Sequence, residues 1–139
     1  MISKTSLKRK GPIRRSSRSK FGAIKSYSKI AGRKFDSKLE RQRGEHLIFL
    51  ESIGKISDLE FQPQCYLTAA KIGYKPDFFY VEDGVEYYED AKGIETEAFK
   101  IKARLWSKYG PAPLRISVRS GTSIVVRKTI HPELQPFRI

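Results

Sequence analysis

The sequence predicts one mixed α/β domain that follows a basic N-terminal arm. The chain has 139 residues, which is enough for a single hydrophobic core. Its first 34 residues contain twelve Lys or Arg and no Asp or Glu, whereas the rest contains sixteen basic and fifteen acidic residues. Helical spacing and strand-like stretches follow in the order α, β, β, β, α, β, β. We therefore expect an arm over residues 1–34 and a folded domain over residues 35–139.

The arm mixes Lys and Arg with Ser and Gly and shows no hydrophobic period, so we expect it to be disordered alone. Each cation that meets a phosphate releases counterions, which favours sequence-independent binding to nucleic acid. An anionic membrane is the rival partner, but the arm lacks an apolar face. A tail that only aids solubility is the plain alternative. The candidate nucleic-acid contacts are Lys8, Arg9, Lys10, Arg14, Arg15, Arg18 and Lys20.

A first helix is predicted from Asp36, because apolar positions recur every three or four residues. This stripe comprises Leu39, Arg43, Leu47 and Leu50, with Ile48 and Ile53 widening it. Gly54 is placed to end the helix, since glycine favours the position after a helix C-terminus. One face of this helix should therefore be buried.

Three short strands are predicted after this helix. The first covers roughly residues 59–67 and the second residues 74–81. The sequence Glu-Asp-Gly that ends at Gly84 makes a tight turn into the third strand, which Gly93 ends. The three strands should form an antiparallel meander.

A second helix is predicted over residues 95–110, with Phe99, Leu105 and Trp106 as buried candidates. The breaker Gly-Pro-Ala-Pro follows, and residues 114–118 and 123–128 then predict two more strands. These strands are expected to extend the same sheet.

Cysteine usage and hydropathy bound the setting of the protein. Cys65 is the lone cysteine, so no internal disulfide and no zinc-type cluster is expected. No apolar run approaches the roughly 18 residues of a membrane span. We therefore expect a cytoplasmic protein that does not enter a membrane.

The residues that favour chemistry are two acids and a lysine. Asp77 follows Pro76, and Asp90 and Lys92 stand two apart on one strand, where period-two geometry aims both at one face. Two carboxylates that converge repel each other unless a cation lies between them, and hard oxygen ligands suit Mg²⁺. The plain alternatives are an exposed ion pair of Asp90 with Lys92, and turn chemistry at Asp77.

Pro76-Asp77 followed by Asp90-Ala91-Lys92 resembles the bipartite motif of the PD-(D/E)XK nuclease superfamily. The segments SKLE, FQPQ, YKPDFF and YEDAKG, in this order, resemble a branch with small phage-encoded endonucleases, junction resolvases and the endonuclease subunit of heteromeric transposases. The resemblance covers roughly residues 37–109. It implies a restriction-endonuclease-like core, α-β-β-β-α-β, with a mixed central sheet flanked by helices.

The resemblance also implies roles for individual residues. Asp77 and Asp90 would be metal ligands together with the backbone carbonyl of Ala91. Lys92 would position the attacking water or stabilise the transition state. Glu40 matches the extra acid that many members contribute to the catalytic and metal site.

Several assignments stay open. Ser37 to Glu40 also forms a capping box, in which the glutamate only bonds the backbone at the helix start; Glu45 is then the reserve acid. Glu89 departs from the apolar pattern expected beside the acid, so either its side of the sheet is partly wet or a bulge makes Glu89 the ligand.

The polar residues around these acids carry open alternatives of their own. Gln62 and Gln64 either touch substrate, or touch water that does not bind the metal directly, or only line a loop, since Pro63 between them indicates an edge or bulge. Lys102 and Arg104 either contact phosphates or form the solvated face of the second helix.

Together, these features predict a Mg²⁺-dependent DNA endonuclease, with Mn²⁺ able to substitute. Its expected substrate is branched or duplex DNA, and the resemblance to junction resolvases implies a homodimer that acts in recombination within a bacterial or phage-infected cell. One alternative is a basic nucleic-acid-binding protein without catalysis. Another is the nuclease subunit of a transposase-like complex.

Overall fold

A computed structural model describes residues 24–133. The chain divides into two compact units, Met1–Glu45 and His46–Ile139. Within the described range there are two α-helices and a five-stranded mixed sheet, so the predicted mixed α/β class is confirmed. Neither helix of this range is long and apolar enough to cross a membrane. The seven arm residues predicted to contact nucleic acid lie before residue 24, outside the described range.

The first unit contains a hairpin that the sequence did not predict. Strands β1 (Ser26–Ser28) and β2 (Arg33–Phe35) pair antiparallel, and Gly32 between them has φ 68°. Phe35 is buried, although Arg33 and Lys34 before it are basic. The predicted disorder of the arm is therefore wrong for residues 24–34. Strands of three residues are too short for an alternating pattern to be visible.

Helix α1 (Lys38–Ser52) begins in the first unit and is tied to this hairpin. Ser28 donates a hydrogen bond of 2.6 Å to Oε2 of Glu45. Arg41 donates to Oγ of Ser26 at 2.7 Å and to Oε1 of Glu45 at 3.0 Å. Glu45, the reserve candidate for the metal site, thus has a local structural role.

Both ends of α1 follow the sequence. Oγ of Ser37 accepts a hydrogen bond from the Glu40 backbone N–H at 3.0 Å, as expected of an N-cap. At the other end Gly54 adopts φ 79°, and the Lys55 N–H donates to the Leu50 carbonyl at 2.9 Å. This is the Schellman pattern that favours glycine. Ile53 follows the last helical residue and is exposed, so its predicted place in the apolar stripe is wrong.

The second unit contains the sheet and helix α2 (Glu97–Tyr109). Its strands are β3 (Ser57–Phe61), β4 (Cys65–Tyr66), β5 (Gly73–Tyr74), β6 (Phe78–Glu82), β7 (Val85–Ala91), β8 (Leu114–Ser120) and β9 (Ser123–Ile130). The five-stranded sheet has the order β3-β6-β7-β8-β9, in which only β7 and β8 are parallel. The predicted meander is β3-β6-β7, and the last two strands extend it as expected.

Two predicted strands are each interrupted. Residues 59–67 divide into the end of β3 and the short β4, and residues 74–81 divide into the end of β5 and β6. Pro63 and Pro76 stand at the interruptions, and proline lacks the N–H that a sheet ladder needs. Strands β4 and β5 pair only with each other, as a separate hairpin.

Helix α2 packs on one face of the sheet through Trp106, which is fully buried. Its Nε1–H donates to the Ala112 carbonyl at 2.7 Å. A Cβ atom on Gly110 would lie 2.5 Å from the indole, so this close approach requires glycine. The predicted burial of Phe99 and Trp106 is confirmed, while Leu105 is half-buried.

Candidate active site

The hairpin of β6 and β7 places the two predicted acids side by side. Asp83 and Gly84 form its turn with φ values of 53° and 77°. Pairing then runs without a break to Phe78 opposite Glu89. Asp77 precedes β6 and Asp90 lies near the end of β7, so the turn that the sequence predicted fixes their proximity.

The carboxylates of Asp77 and Asp90 are each bonded to the other strand's backbone. The Asp77 N–H donates to Oδ1 of Asp90 at 3.2 Å, and the Ala91 N–H donates to Oδ2 of Asp77 at 2.9 Å. Asp90 is 2% exposed and Asp77 is half-buried. The predicted convergence of the two acids is confirmed.

Lys92 lies at the same place. Its Nζ is 3.2 Å from Oδ2 of Asp90, and the ring centroid of Phe99 lies 4.4 Å from that nitrogen. Its backbone N–H donates to the Ser117 carbonyl of β8 at 2.8 Å, which fixes the main chain at this point. The side chain of Lys92 is 24% exposed and that of Asp90 3%, so the alternative of an exposed surface ion pair is wrong.

Tyr74 is a member of this site that the sequence did not indicate. Its hydroxyl donates to Oδ2 of Asp90. The centroid of its ring lies 6.3 Å from that of Phe99 and 5.8 Å from that of Trp106. Burial, followed by the negative charge of Asp90, raises the pKa of Tyr74 well above its ordinary value. Tyr74 therefore remains a neutral donor that orients Asp90.

The two glutamines of the FQPQ segment have different positions. Gln62 has φ 52°. Its backbone N–H donates to the Asp77 carbonyl at 2.9 Å, which helps to fix the main chain at Asp77. Gln64 is exposed, and its Nε2 donates to the Cys65 carbonyl at 3.1 Å. Gln62 thus supports the site through its backbone, and Gln64 lies on the hairpin that leads to Tyr74.

Of the two predicted phosphate contacts on α2, Lys102 lies near Tyr74. Its Nζ donates to the Gly73 carbonyl at 2.9 Å and is 5.9 Å from the ring centroid of Tyr74. Arg104 is exposed. Lys102 therefore lies beside Tyr74, the residue that donates to Asp90, while Arg104 is on the solvated face of the helix.

Glu89 lies on the opposite face of β7, where it is fully buried. Its Oε1 accepts from the Tyr80 hydroxyl at 2.5 Å and its Oε2 accepts from Ser117 Oγ at 2.7 Å. The pairing of β7 with β6 and with β8 contains no bulge at this point. The bulge alternative is therefore wrong: the register assigns Asp90 to the site. Glu89 itself is buried, whereas Val85 on the same face of β7 is exposed.

The donors at this site fit a hard divalent cation. Within residues 24–133 no cluster of three or more His, Cys, Asp or Glu side chains is arranged to hold a metal. Asp77 and Asp90 nevertheless form a convergent pair, and Mg²⁺ is commonly held by one or two carboxylates, with water and substrate phosphates completing its shell. A carboxylate offers about four lone-pair positions, so Asp90, with three donors, retains the capacity for a further bond.

Glu40 belongs to the first unit, where its side chain is buried. Its backbone N–H donates to Oγ of Ser37, which confirms the serine half of the predicted capping box. Its role as the third acid of the site stays a prediction.

The fold and this constellation define a mixed α/β protein with a convergent carboxylate pair and an adjacent lysine. The chain belongs to the family described as "Protein of unknown function (DUF1064)", whose model matches residues 18–122. The matched range includes Asp77, Asp90 and Lys92. Comparisons with curated proteins and with solved structures gave no match.

Proposed function

We propose that this protein is a metal-dependent endonuclease that hydrolyses phosphodiester bonds in DNA, with Asp77, Asp90 and Lys92 in its active site. The observation that carries the proposal is the cross-bonded pair of carboxylates with the Lys92 ammonium 3.2 Å from Asp90. Two carboxylates held this close together repel each other when both are ionised. A divalent cation bound by both would offset this repulsion, as the resemblance to PD-(D/E)XK nucleases implies.

In this proposal Asp77 and Asp90 hold Mg²⁺, with Mn²⁺ as a substitute, and the Ala91 carbonyl and Glu40 are further candidate ligands. When bound, the metal would polarise the scissile phosphate and lower the pKa of a water molecule. Lys92 would stabilise the negative charge that develops on the phosphate, or orient the attacking water. The Asp77 N–H and the Tyr74 hydroxyl keep Asp90 in one orientation.

The proposed substrate is branched or duplex DNA, and the net charge of +13 favours a polyanionic partner. Within the second unit, the Lys92 ammonium lies against Asp90, and the Lys102 ammonium lies at Gly73, next to Tyr74. Selection by DNA shape, rather than by a long base sequence, is part of the proposal, because the sequence contains no obvious base-reading module. A homodimer would allow the two strands of a junction to be cut symmetrically.

Two other functions make different predictions. In a binding protein without catalysis, the pairing of Asp90 with Lys92 would only hold the end of β7 in place. In a transposase-like complex, the isolated chain would bind DNA and cut it only with a partner present.

A nuclease assay on linear, nicked and four-way junction DNA, with Mg²⁺, Mn²⁺ or EDTA, tests the proposal. The wild type should cut with either metal and not in EDTA, and Asp90→Asn should be inactive. Asp83→Asn is the matched control, since it makes the same chemical change in the exposed turn of the same hairpin and asparagine tolerates positive φ. Equal cutting by Asp90→Asn and wild type would refute the assigned site. Equal cutting of linear and junction DNA would refute shape selection.

A further inference from the structure

The β4–β5 hairpin lies next to the candidate active site, and part of it is buried in the core. Cys65 pairs with Tyr74, and both are buried in the core together with Leu67. The Leu67 N–H donates to the Ile72 carbonyl at 2.9 Å, which closes the loop. The position of this hairpin is therefore fixed by core packing on one side and by the bond from Tyr74 to Asp90 on the other.

The outer part of the same hairpin exposes a large aromatic side chain. Tyr66 is 62% exposed and Ile72 is 42% exposed. Lys71 and Lys75 are exposed beside them, and residues 61–76 contain no acidic residue. An exposed aromatic ring on a segment that carries cations and no acidic residue is complementary to the bases and phosphates of a nucleic acid.

Gly73 allows the polar side chain of Gln64 and the aromatic ring of Tyr66 to lie close together on this surface. A Cβ atom at Gly73 would lie 2.8 Å from Nε2 of Gln64 and 3.7 Å from the Tyr66 ring. The missing side chain therefore leaves room for the Gln64 amide beside the Tyr66 ring. The next residue is Tyr74, which contacts Asp90, so this surface and the candidate catalytic acid are linked through adjacent residues.

We propose that the β4–β5 hairpin binds an unpaired nucleotide next to the phosphodiester that is cut. The base stacks on the Tyr66 ring, the Gln64 amide hydrogen-bonds to the edge of the base, and Lys71 and Lys75 contact flanking phosphates. The face of a base is open to such stacking only when the base has left the duplex. The inference rests on the proposed function and gives a physical reason for selecting branched DNA.

The test is a binding experiment in EDTA, so that no metal-dependent cleavage takes place. The full chain is titrated into duplex DNA with an unpaired 2-aminopurine at a flap, and into the fully paired duplex, at one salt concentration. Loss of one base–aromatic stack by Tyr66→Ala should reduce the preference for the flap by between about 5-fold and about 150-fold. Tyr66→Phe should keep the preference and the quenching of 2-aminopurine. The matched control is Tyr109→Ala, another exposed tyrosine, which should keep both.

The ratio of the two affinities separates the hairpin from the basic arm, because electrostatic contacts with the arm strengthen binding to both DNAs. An unchanged ratio in Tyr66→Ala would overturn the hairpin's role, even if Asp90→Asn abolishes cleavage and the proposed function stands. A reduced ratio without any cleavage by the wild type would support the hairpin and reject the nuclease. If Tyr66→Ala instead loses only binding to anionic lipid vesicles, the surface is a membrane contact and the proposal is wrong.

Discussion

The two faces of β7 carry adjacent buried acids with very different surroundings. Glu89 accepts hydrogen bonds from the hydroxyls of Tyr80 and Ser117, one on each carboxylate oxygen. Asp90 also accepts from a tyrosine, Tyr74, but it lies beside a second carboxylate and an ammonium group. Because successive side chains of a strand point to opposite faces, neighbours in sequence occupy separate environments.

The difference separates a buried acid that is held within the sheet from one that lies in the proposed active site. Hydroxyls from β6 and β8 donate to the two oxygens of Glu89, which ties this side chain into the sheet. At Asp90 the like charge of Asp77 is held close by backbone hydrogen bonds, and the Lys92 ammonium lies against the same carboxylate. A close cluster of acidic and basic side chains of this kind is a candidate functional site. Variants on the Asp90 face and on the Glu89 face of β7 should therefore differ in their effects on cleavage and on stability.

The largest effect is expected for Lys92→Ala, which removes the ammonium group from the Asp90 face. If Lys92 stabilises charge in the transition state, the cleavage rate should fall by roughly 100- to 1,000-fold, while the affinity for DNA changes little. Single-turnover cleavage and DNA binding in EDTA measure the two quantities. Lys100→Ala, in an exposed pair with Glu97, is the control and should keep its rate. Equal losses in both lysine variants would contradict a special role for Lys92.

On the other face, Glu89→Ala should lower the free energy of unfolding by about 3 kcal/mol. It creates a cavity and leaves the buried hydroxyls of Tyr80 and Ser117 without their acceptor. Urea unfolding followed by circular dichroism gives the value. Glu86→Ala, at an exposed position of the same strand, should change it by less than about 0.5 kcal/mol. If Glu89→Ala lowers the free energy of unfolding as little as Glu86→Ala does, the buried hydrogen bonds of Glu89 do not stabilise the fold.

Magnesium should stabilise the folded protein through the Asp90 face alone. At a concentration about 100 times its dissociation constant, a ligand that binds only the folded state adds about 2.7 kcal/mol. The melting temperature of the wild type should therefore rise with Mg²⁺, while that of Asp77→Asn should not. Asp83→Asn and Glu89→Gln should respond like the wild type. A rise that persists in Asp77→Asn would place the metal elsewhere.

The smallest effect concerns alkaline stability on the Glu89 face. Burial, followed by the charge of Glu89, raises the pKa of Tyr80 above its ordinary value near 10. The unfolded chain loses this proton first, so Tyr80 contributes full stability below pH 10, and that contribution falls by up to about 1.4 kcal/mol per pH unit above it.

Tyr80→Phe should therefore flatten the decline of unfolding free energy above pH 10, measured by urea titration at several pH values. Tyr109→Phe is an exposed control and should leave the slope unchanged. An identical slope in Tyr80→Phe and wild type would show that Tyr80 titrates normally.

Short sequence patterns predicted the elements that depend on contacts between residues close in sequence. The Asp-Gly turn specified the β6–β7 hairpin, and the hairpin register then brought Asp77 to Asp90 and Lys92. Helical spacing and the glycine after α1 predicted that helix and its end. These features depend on contacts within a short stretch of chain, which the sequence pattern reports directly.

The missed features depend on contacts between distant segments. Tyr74 reaches Asp90 although β5 and β7 belong to different sheets, so no pairing rule connects them. Glu89 is satisfied by Ser117 through the parallel pairing of β7 with β8. A buried acid inside a strand looks anomalous until the residue across the sheet is known, which is why Glu89 could not be assigned from sequence.

The central claim is that Asp90 serves chemistry and Glu89 serves the fold, and two isosteric variants test it directly. Cleavage of DNA with Mg²⁺ is measured for Asp90→Asn and Glu89→Gln, with each rate normalised to the folded fraction of that variant. We predict a rate at least about 100-fold below wild type for Asp90→Asn and within about threefold of wild type for Glu89→Gln. Wild-type cleavage by Asp90→Asn, or a loss in Glu89→Gln as large as in Asp90→Asn, would contradict this division between the two faces.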